Sequence, residues 1–236
     1  MLPEQTSAIR EKKARNTIEI KKGSRMKSGQ TQISRIIGGI LLISLLGWAN
    51  VALSKIQGEY ELMEGEPSQH EAGKVILFEF ADFYCSHCHM FERVVGTKLK
   101  KEFGDKLEIR MVGFPVIPGK LPTAFEMYNQ AVTMGKGPEM KQLLFQSIHE
   151  KDIQVFDKTM RALLLKEIGL DPTEFEAGLA SGKPFKTLAK GRTWGERIKV
   201  THTPTVLLDG NIRVANLTAE NLKTVIESIL NQDSKS

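Results

Sequence analysis

The chain has 236 residues, of which 41% are hydrophobic, and it carries a formal net charge of +5. This length and composition predict a globular protein with a sizeable core. The excess positive charge lies in residues 1–35, which hold nine Lys or Arg against three Glu. The remainder holds 24 basic and 25 acidic residues and is nearly neutral. The composition therefore excludes a nucleic-acid function.

Residues 36–53 follow this basic tail as eighteen residues without a charged side chain. Such a segment fits a transmembrane anchor and also the core of a signal peptide. The positive charge before it predicts that residues 1–35 stay in the cytoplasm and that the rest is exported. If the true start is Met26, the segment is a signal cleaved near Ser54; otherwise it anchors the chain in the inner membrane. Both routes predict a periplasmic or other extracytoplasmic protein.

Residues 54–73 are polar and contain Gly58, Gly65, Pro67 and Gly73, a composition typical of a linker. The segment is too short to hold a separate dimerisation domain. We therefore expect a monomer.

The only two cysteines, Cys85 and Cys88, lie between an apolar run and an amphipathic segment. Residues 74–80 are β-branched and aromatic, which predicts a buried strand. A helix is predicted after the cysteines, with one apolar stripe of Phe91, Val94, Val95, Leu99 and Phe103. Cys85 is then expected at the helix N-terminus, where unpaired N–H groups stabilise a thiolate, and Cys88 about one turn further on. The pair is predicted to be a redox dithiol.

Three other interpretations of this motif stay open. Cys85, Cys88 and His89 match the Cys-x-x-Cys-His attachment signature of c-type haem. Zinc is disfavoured, because Cys85, His87, Cys88 and His89 would have to surround one tetrahedral ion within five residues. The third interpretation is a pair of buried structural cysteines. Export favours the redox dithiol, because it places the pair where disulfides form and persist.

The rest of the chain predicts a second strand, a helical block, a hairpin and a last helix. The second strand covers residues 107–114, and residues 121–199 carry a helical pattern broken by Gly and Pro. Residues 205–208 and 212–214 form a hairpin around a Gly-containing turn, and Thr218 caps the last helix. Parallel strands need one crossover, and the helical block is far longer than that. It is expected to form its own lobe over the cysteines.

Residues 80–92, together with the segment 200–210 that contains Thr203-Pro204, resemble DsbA-like thiol:disulfide oxidoreductases. The resemblance covers about residues 70–232. It implies an α/β thioredoxin fold, with a thioredoxin-like domain at 74–120 and 200–232 and an inserted all-helical subdomain at 121–199.

The resemblance also implies the chemistry. Cys85 is the attacking thiol, Cys88 resolves, and Thr203-Pro204 is a cis-proline loop that faces the disulfide and pairs with an extended substrate. The function implied is the introduction of disulfide bonds into reduced, unfolded secreted proteins, with reoxidation by a quinone-linked membrane protein of the DsbB type. No cofactor is implied.

Glu79, six residues before Cys85, matches the family's buried acidic position. It is expected to exchange a proton with Cys88 through water. The alternatives are a partner in the helical lobe or an edge-facing side chain. Asp82 is interpreted as a loop residue.

Three histidines flank the predicted site. His87 is expected to donate to the Cys85 sulfur or, when charged, to stabilise its negative charge. His202, before Thr203, either adds positive potential for substrate binding or is an ordinary loop residue, and His89 is expected to be solvated. Ser86 stands where DsbA-like proteins usually have Pro, so a reductase or isomerase on the same fold remains an alternative.

Overall fold

The structure, a computed structural model, describes residues 55–116 and 123–234. The predicted basic tail at 1–35 and the predicted anchor or signal at 36–53 lie outside these residues. Within the described part, no helix combines the length and apolar character needed to cross a membrane.

Five strands of the described chain form one mixed sheet. They are β1 (Tyr60–Leu62), β2 (Val75–Ala81), β3 (Leu107–Gly113), β4 (Thr205–Leu208) and β5 (Ile212–Val214). Their order is β1-β5-β4-β2-β3, and β2 runs parallel to β3 and antiparallel to β4. Every residue of β2 is buried, because strands pair with both of its edges and helices cover both faces of the sheet. The cysteine motif therefore leaves the sheet from its centre.

The predicted helix after the cysteines forms but is not uniformly α-helical. It consists of α1 (Ser86–Met90), a π-helical segment (Phe91–Gly96) and α2 (Thr97–Phe103), together called the cysteine helix below. A π-turn widens the spacing of side chains. Phe91 and Leu99 are buried as predicted, but Val94 is 56% exposed, which corrects the predicted apolar stripe.

Five helices of the described chain lie between β3 and β4. They are α3 (Ala124–Thr133), α4 (Gly137–His149), α5 (Lys158–Glu167), α6 (Pro172–Ala180) and α7 (Lys183–Arg197). Their ends follow local capping rules: Thr123 forms a capping box with Glu126, and the Asp157 and Asp171 side chains accept from the first turns of α5 and α6. The last helix, α8 (Ala219–Asp233), is capped by Thr218 as predicted.

Three apolar clusters hold these elements together. One lies inside the group of helices α3 to α7, called the helical lobe below, and reaches the cysteine motif through Phe83 and Cys88. A second lies between the sheet, the cysteine helix and α8. The third covers the other face of the sheet, where Trp194 of α7 packs edge-on against Phe78 and Phe80. α7 approaches closely enough there that a Cβ added at Gly195 would lie 2.5 Å from a ring carbon of Phe114.

The segment predicted as a linker is part of the folded domain, which corrects that prediction. β1 lies within it and pairs antiparallel with β5. Glu66 accepts hydrogen bonds from Arg197 at 2.7 Å and from Trp194 at 3.1 Å. The Gln69 N–H donates to the Asp209 carbonyl at 2.8 Å. The polar composition does not predict this strand, because an edge strand buries few side chains and is held mainly by backbone hydrogen bonds and charged groups.

Candidate active site

The two cysteines occupy different environments at the junction of β2 and α1. Cys85 is the N-cap residue of α1, with extended backbone (φ −81°, ψ 114°), and Cys88 lies in the first turn. Both are free thiols. Cys85 is 8% exposed, whereas Cys88 is fully buried beneath it. A molecule arriving from solvent therefore meets the Cys85 sulfur first.

The loop before β4 reaches the Cys85 sulfur from a distant part of the chain. The Thr203-Pro204 peptide bond is cis, as predicted. The Cys85 thiol donates to the Thr203 carbonyl oxygen, with Sγ and O 3.3 Å apart. The Thr205 hydroxyl donates to the His202 carbonyl at 2.8 Å and braces the loop. The structure thus brings together the dithiol and the proline loop that the sequence singled out separately.

Asp82 organises the turn that presents Cys85. Its carboxylate accepts from the Tyr84 N–H at 3.0 Å and from the Val116 N–H at 2.9 Å, and its carbonyl accepts from the Cys85 N–H at 3.0 Å. Asp82 lies in the loop, as predicted, but it is buried and connects the ends of two strands. An Asx-turn preference after a strand is the sequence signal that points to this role.

Glu79 is completely buried in the central strand. Its neighbours in register are Met111 of β3 and Val206 of β4, so the alternative of an edge-facing side chain is wrong. Neither carboxylate oxygen has a hydrogen-bond partner among the described residues. Burial, reinforced by the negative charge of Glu92, raises the pKa of Glu79 to about 8. Glu79 is therefore protonated at neutral pH.

An ion pair lies beside Glu79 at the boundary with the helical lobe. Lys141 of α4 contacts Glu92 of the cysteine helix at 2.6 Å. The positive charge of Lys141 opposes the rise in the Glu79 pKa. Burial and the negative charges of Glu79 and Glu92 also raise the pKa of Tyr128 on α3, to about 12. The helical lobe thus supplies the only positive charge that acts on Glu79 among the described residues.

The Cys88 thiol has a strongly raised pKa. Burial is the largest cause, and the charges of Glu79 and Cys85 act in the same direction, while the Asp82 backbone opposes them. A thiolate at Cys88 is consequently disfavoured, so this sulfur holds its proton when reduced.

His87 and His202, the two predicted site histidines, are exposed. Among the described residues, His87 makes no hydrogen bond to the Cys85 sulfur, which donates to Thr203 instead. His202 lines a cavity beside Pro204. Their predicted roles remain predictions.

His89 is not the solvated residue that was expected. Its ring stacks on His149 of α4, with centroids 4.8 Å apart, and its Nε2 lies 3.2 Å from a carboxylate oxygen of Glu150. Burial and then His149 lower the His89 pKa. His149 in turn donates through Nε2 to the Phe83 carbonyl at 2.8 Å, which ties the active-site loop to the helical lobe.

The environment of His89 does not support a c-type cytochrome, because the imidazole that would ligate haem iron stacks on one helix and pairs with Glu150. In residues 55–116 and 123–234, no group of three or more His, Cys, Asp or Glu side chains is placed to hold a metal ion.

Sequence reasoning did not identify Glu92, Lys141, Tyr128 or His149. Lys141 and His149 lie on α4, more than fifty residues from the cysteines, with no local motif around them. Only the packing of α4 against the cysteine helix brings them to the site.

Comparisons with known proteins agree with this geometry. A family model described as Thioredoxin matches residues 69–228. The thiol:disulfide interchange protein DsbA of Burkholderia cepacia is 24% identical over 144 residues, which cover 61% of this chain and 67% of that protein. A probable disulfide bond formation protein D of Bacillus cereus is 24% identical over 220 residues, covering 87% of this chain and 99% of that protein.

Among solved structures, the oxidoreductase DsbA from Xylella fastidiosa superposes with a TM-score of 0.60 at 21% sequence identity. The match covers 75% of this chain and 96% of that one. At this identity the likeness shows the fold: a thioredoxin sheet with a helical insertion.

Proposed function

The chain belongs to the thioredoxin family and is a DsbA-like thiol:disulfide oxidoreductase, and we propose that it acts outside the cytoplasm to introduce disulfide bonds into secreted proteins. The observation that carries this proposal is the Cys85 sulfur, which faces the Thr203 carbonyl at 3.3 Å while Cys88 lies fully buried behind it. One sulfur is placed to meet a substrate, and the other is placed to close or open the internal disulfide.

The reaction starts from the oxidised Cys85–Cys88 pair. A substrate thiolate attacks the Cys85 sulfur, which forms a mixed disulfide and breaks the Cys85–Cys88 bond. The electron pair of that bond leaves on Cys88. A second substrate thiolate then attacks the substrate sulfur of the mixed disulfide, which forms the substrate disulfide and releases Cys85. The substrate loses two electrons, and the cysteine pair gains them.

Glu79 is proposed as the proton source for Cys88. A leaving thiolate at Cys88 is costly, because burial raises the pKa of that thiol. Glu79 is buried nearby and protonated at neutral pH. It would protonate the Cys88 sulfur as the bond breaks, through a water molecule, and would recover the proton in the reverse step.

The backbone beside Pro204 is proposed to hold the substrate. The Thr203 carbonyl lies 3.3 Å from the Cys85 sulfur, so an extended polypeptide bonded to Cys85 can pair with this backbone as an added strand. His87 and His202 are exposed and add charge when protonated. This arrangement suits unfolded, reduced proteins, whose backbone is available for pairing.

Export is proposed from the sequence of residues 1–53, with the basic tail in the cytoplasm and the segment 36–53 as an anchor or a cleaved signal. A quinone-linked membrane protein of the DsbB type would reoxidise the dithiol. The protein would act as a monomer, because a mixed disulfide needs one dithiol and one proline loop, and this chain contains both.

Trapping of mixed disulfides tests the exchange chemistry. The test substrate is an unfolded protein whose thiols have been converted to mixed disulfides with an aromatic thiol. Cys85 of the Cys88→Ala variant should displace the aromatic thiol and accumulate a mixed disulfide with the substrate, detectable by mass spectrometry. Cys85→Ala is the matched control and should accumulate none. Equal trapping by both variants would show that the roles of the two cysteines are wrongly assigned.

The reduction potential tests the direction of exchange. Equilibration in glutathione buffers, read by thiol alkylation, should give a value nearer to about −120 mV, as in DsbA, than to about −270 mV, as in thioredoxin. A value near about −270 mV would refute the oxidase role and favour the reductase or isomerase alternative. Ser86 lies between the cysteines, so Ser86→Pro is the variant to compare in the same buffers.

A further inference from the structure

A small cavity lies beside Pro204. Its volume is about 140 Å³, and its lining includes Lys199, His202, Pro204, Arg213 and Leu217. It lies between the loop before β4 and the segment that leaves β5. None of the described residues that line it is acidic, whereas two of them, Lys199 and Arg213, are basic.

Arg213 is held at this cavity with part of its hydrogen-bonding capacity unused. Its Nη2 donates to the Ile198 carbonyl, which fixes the head group. The nearest carboxylate, that of Glu61, is 67% exposed and lies 4.0 Å from Nη1, beyond hydrogen-bond distance. The Nε atom is buried and has no partner among the described residues. The Arg213 side chain is 23% exposed, and a guanidinium with an unpaired donor favours an additional acceptor.

Lys199 contributes the second positive charge to the cavity lining. It is exposed and has a left-handed backbone conformation (φ 57°), which turns the chain from α7 into the proline loop. Its lysine side chain is therefore carried on the same loop that faces Cys85. The cavity combines one fixed cation, Arg213, with one mobile cation, Lys199.

We propose that this cavity receives the carboxylate of an Asp or Glu side chain of the substrate polypeptide, close in sequence to the reacting cysteine. The inference rests on the proposed function, because it assumes that the substrate backbone runs along Thr203. A polypeptide whose cysteine is bonded to Cys85 passes Pro204 within one or two residues, since an extended chain advances about 3.3 Å per residue. The volume suits one short side chain, and guanidinium groups bind carboxylates with paired hydrogen bonds.

Glu61 is the competing carboxylate within the protein. Because its side chain is largely exposed and does not reach hydrogen-bond distance, a substrate carboxylate can take the unused donors of Arg213 without displacing a strong contact. The preference is expected to weaken as salt is added, since both cations lie near the surface.

The test uses the full chain in non-ionic detergent and fluorescent peptides with Ser in place of the reactive Cys. A single Glu is placed in turn at each of the two positions on either side of the Ser, and each peptide is compared with its Gln counterpart. Fluorescence anisotropy should show about five- to tenfold tighter binding of the Glu peptide at one or more positions at low salt. The affinity for the Glu peptide divided by the affinity for the Gln peptide, called the Glu-to-Gln ratio below, should fall toward one in Lys199→Gln and in Arg213→Gln.

Arg192→Gln is the matched control. It removes the same charge from an exposed residue of α7 that pairs with Glu196 and does not line the cavity. The ratio should be unchanged in this variant. Because Arg213→Gln also removes the bond to Ile198, Lys199→Gln decides the test if the arginine variant fails to fold. A ratio of one at all positions in the unaltered chain, or a ratio that Lys199→Gln leaves unchanged, overturns the proposal.

Oxidation of the corresponding Cys-containing Gln peptides separates this proposal from the proposed function. Oxidation of these neutral peptides together with a Glu-to-Gln ratio of one would refute the acidic subsite and leave the exchange chemistry intact. If no peptide is oxidised, the proposed function fails, and the anisotropy result still decides whether the cavity binds a carboxylate.

Discussion

Replacement of Glu79 by Gln should change how the stability of the reduced protein depends on pH. Burial raises the pKa of Glu79 from 4.5 to about 8 in the folded chain. Above about pH 4.5 the unfolded chain loses this proton, whereas the folded chain keeps it until about pH 8. Each pH unit in this window therefore favours the unfolded state by about 1.4 kcal/mol.

Between pH 5 and pH 8 the carboxyl group should lower the free energy of unfolding by about 3 to 4 kcal/mol. Below pH 4.5 the group is neutral in both states and contributes no pH dependence. Gln is similar in size and does not ionise, so Glu79→Gln should lack this slope. The difference in unfolding free energy between the unaltered chain and the variant should thus grow with pH, in favour of the variant.

Guanidinium unfolding at pH 5, 6, 7 and 8, with both cysteines kept reduced, measures this difference. Glu108→Gln is the control, because ion partners lower the pKa of Glu108 to about 2, and its effect should not vary over the same range. A difference for Glu79→Gln that stays constant from pH 5 to pH 8 would refute the reasoning that burial keeps this carboxyl group protonated.

Three further substitutions test the packing and the hydrogen bonds around the site, all by guanidinium unfolding. Gly195→Ala should destabilise the protein by about 1–3 kcal/mol, because the added methyl group overlaps a phenylalanine ring, and an unchanged midpoint would contradict the close packing of α7. Asp209→Asn should cost about 1–3 kcal/mol, because the amide can still accept from the Ile76 N–H but lacks the second carboxylate oxygen, which pairs with His70 at 2.8 Å. His149→Leu should cost about 1 kcal/mol and speed alkylation of the reduced cysteines, because the Phe83 carbonyl loses its donor. Unchanged alkylation would show that the helical lobe does not restrain the loop before Cys85.

The central strand, the cysteine helix and the hairpin are predictable because each is specified by local patterns. β2 is a run of β-branched and aromatic residues, and β4 and β5 flank a Gly-containing turn. β1 is not predictable in the same way, because Tyr60–Leu62 is short and its place is decided by pairing with β5, some 150 residues away. The π-helical segment also escapes prediction, since an amphipathic stripe of α-helical period describes its sequence equally well.

The dithiol and the proline loop are predictable for a different reason. Their residue types are rare and their positions relative to a strand, a helix and a hairpin are specific. Lys141 has no such signal, because a lysine in an amphipathic helix is ordinarily solvated. Its role follows only from α4 packing against the cysteine helix, where it pairs with Glu92.

The two buried acids of the site, Glu79 and Cys88, support the proposal that disulfide exchange here moves a proton as well as electrons. Burial is the largest cause of the raised pKa of both groups, and an ionised Glu79 raises the pKa of Cys88 further because like charges repel. When the Cys85–Cys88 bond breaks, the electron pair arrives on the sulfur in the less polar position. Lys141 lowers the cost of a negative charge on Glu79, whereas no cation of the described residues does so for the Cys88 sulfur. In the proposed mechanism, proton transfer from Glu79 to Cys88 would move the new charge toward Lys141, so the position of α4 would influence how readily the disulfide opens.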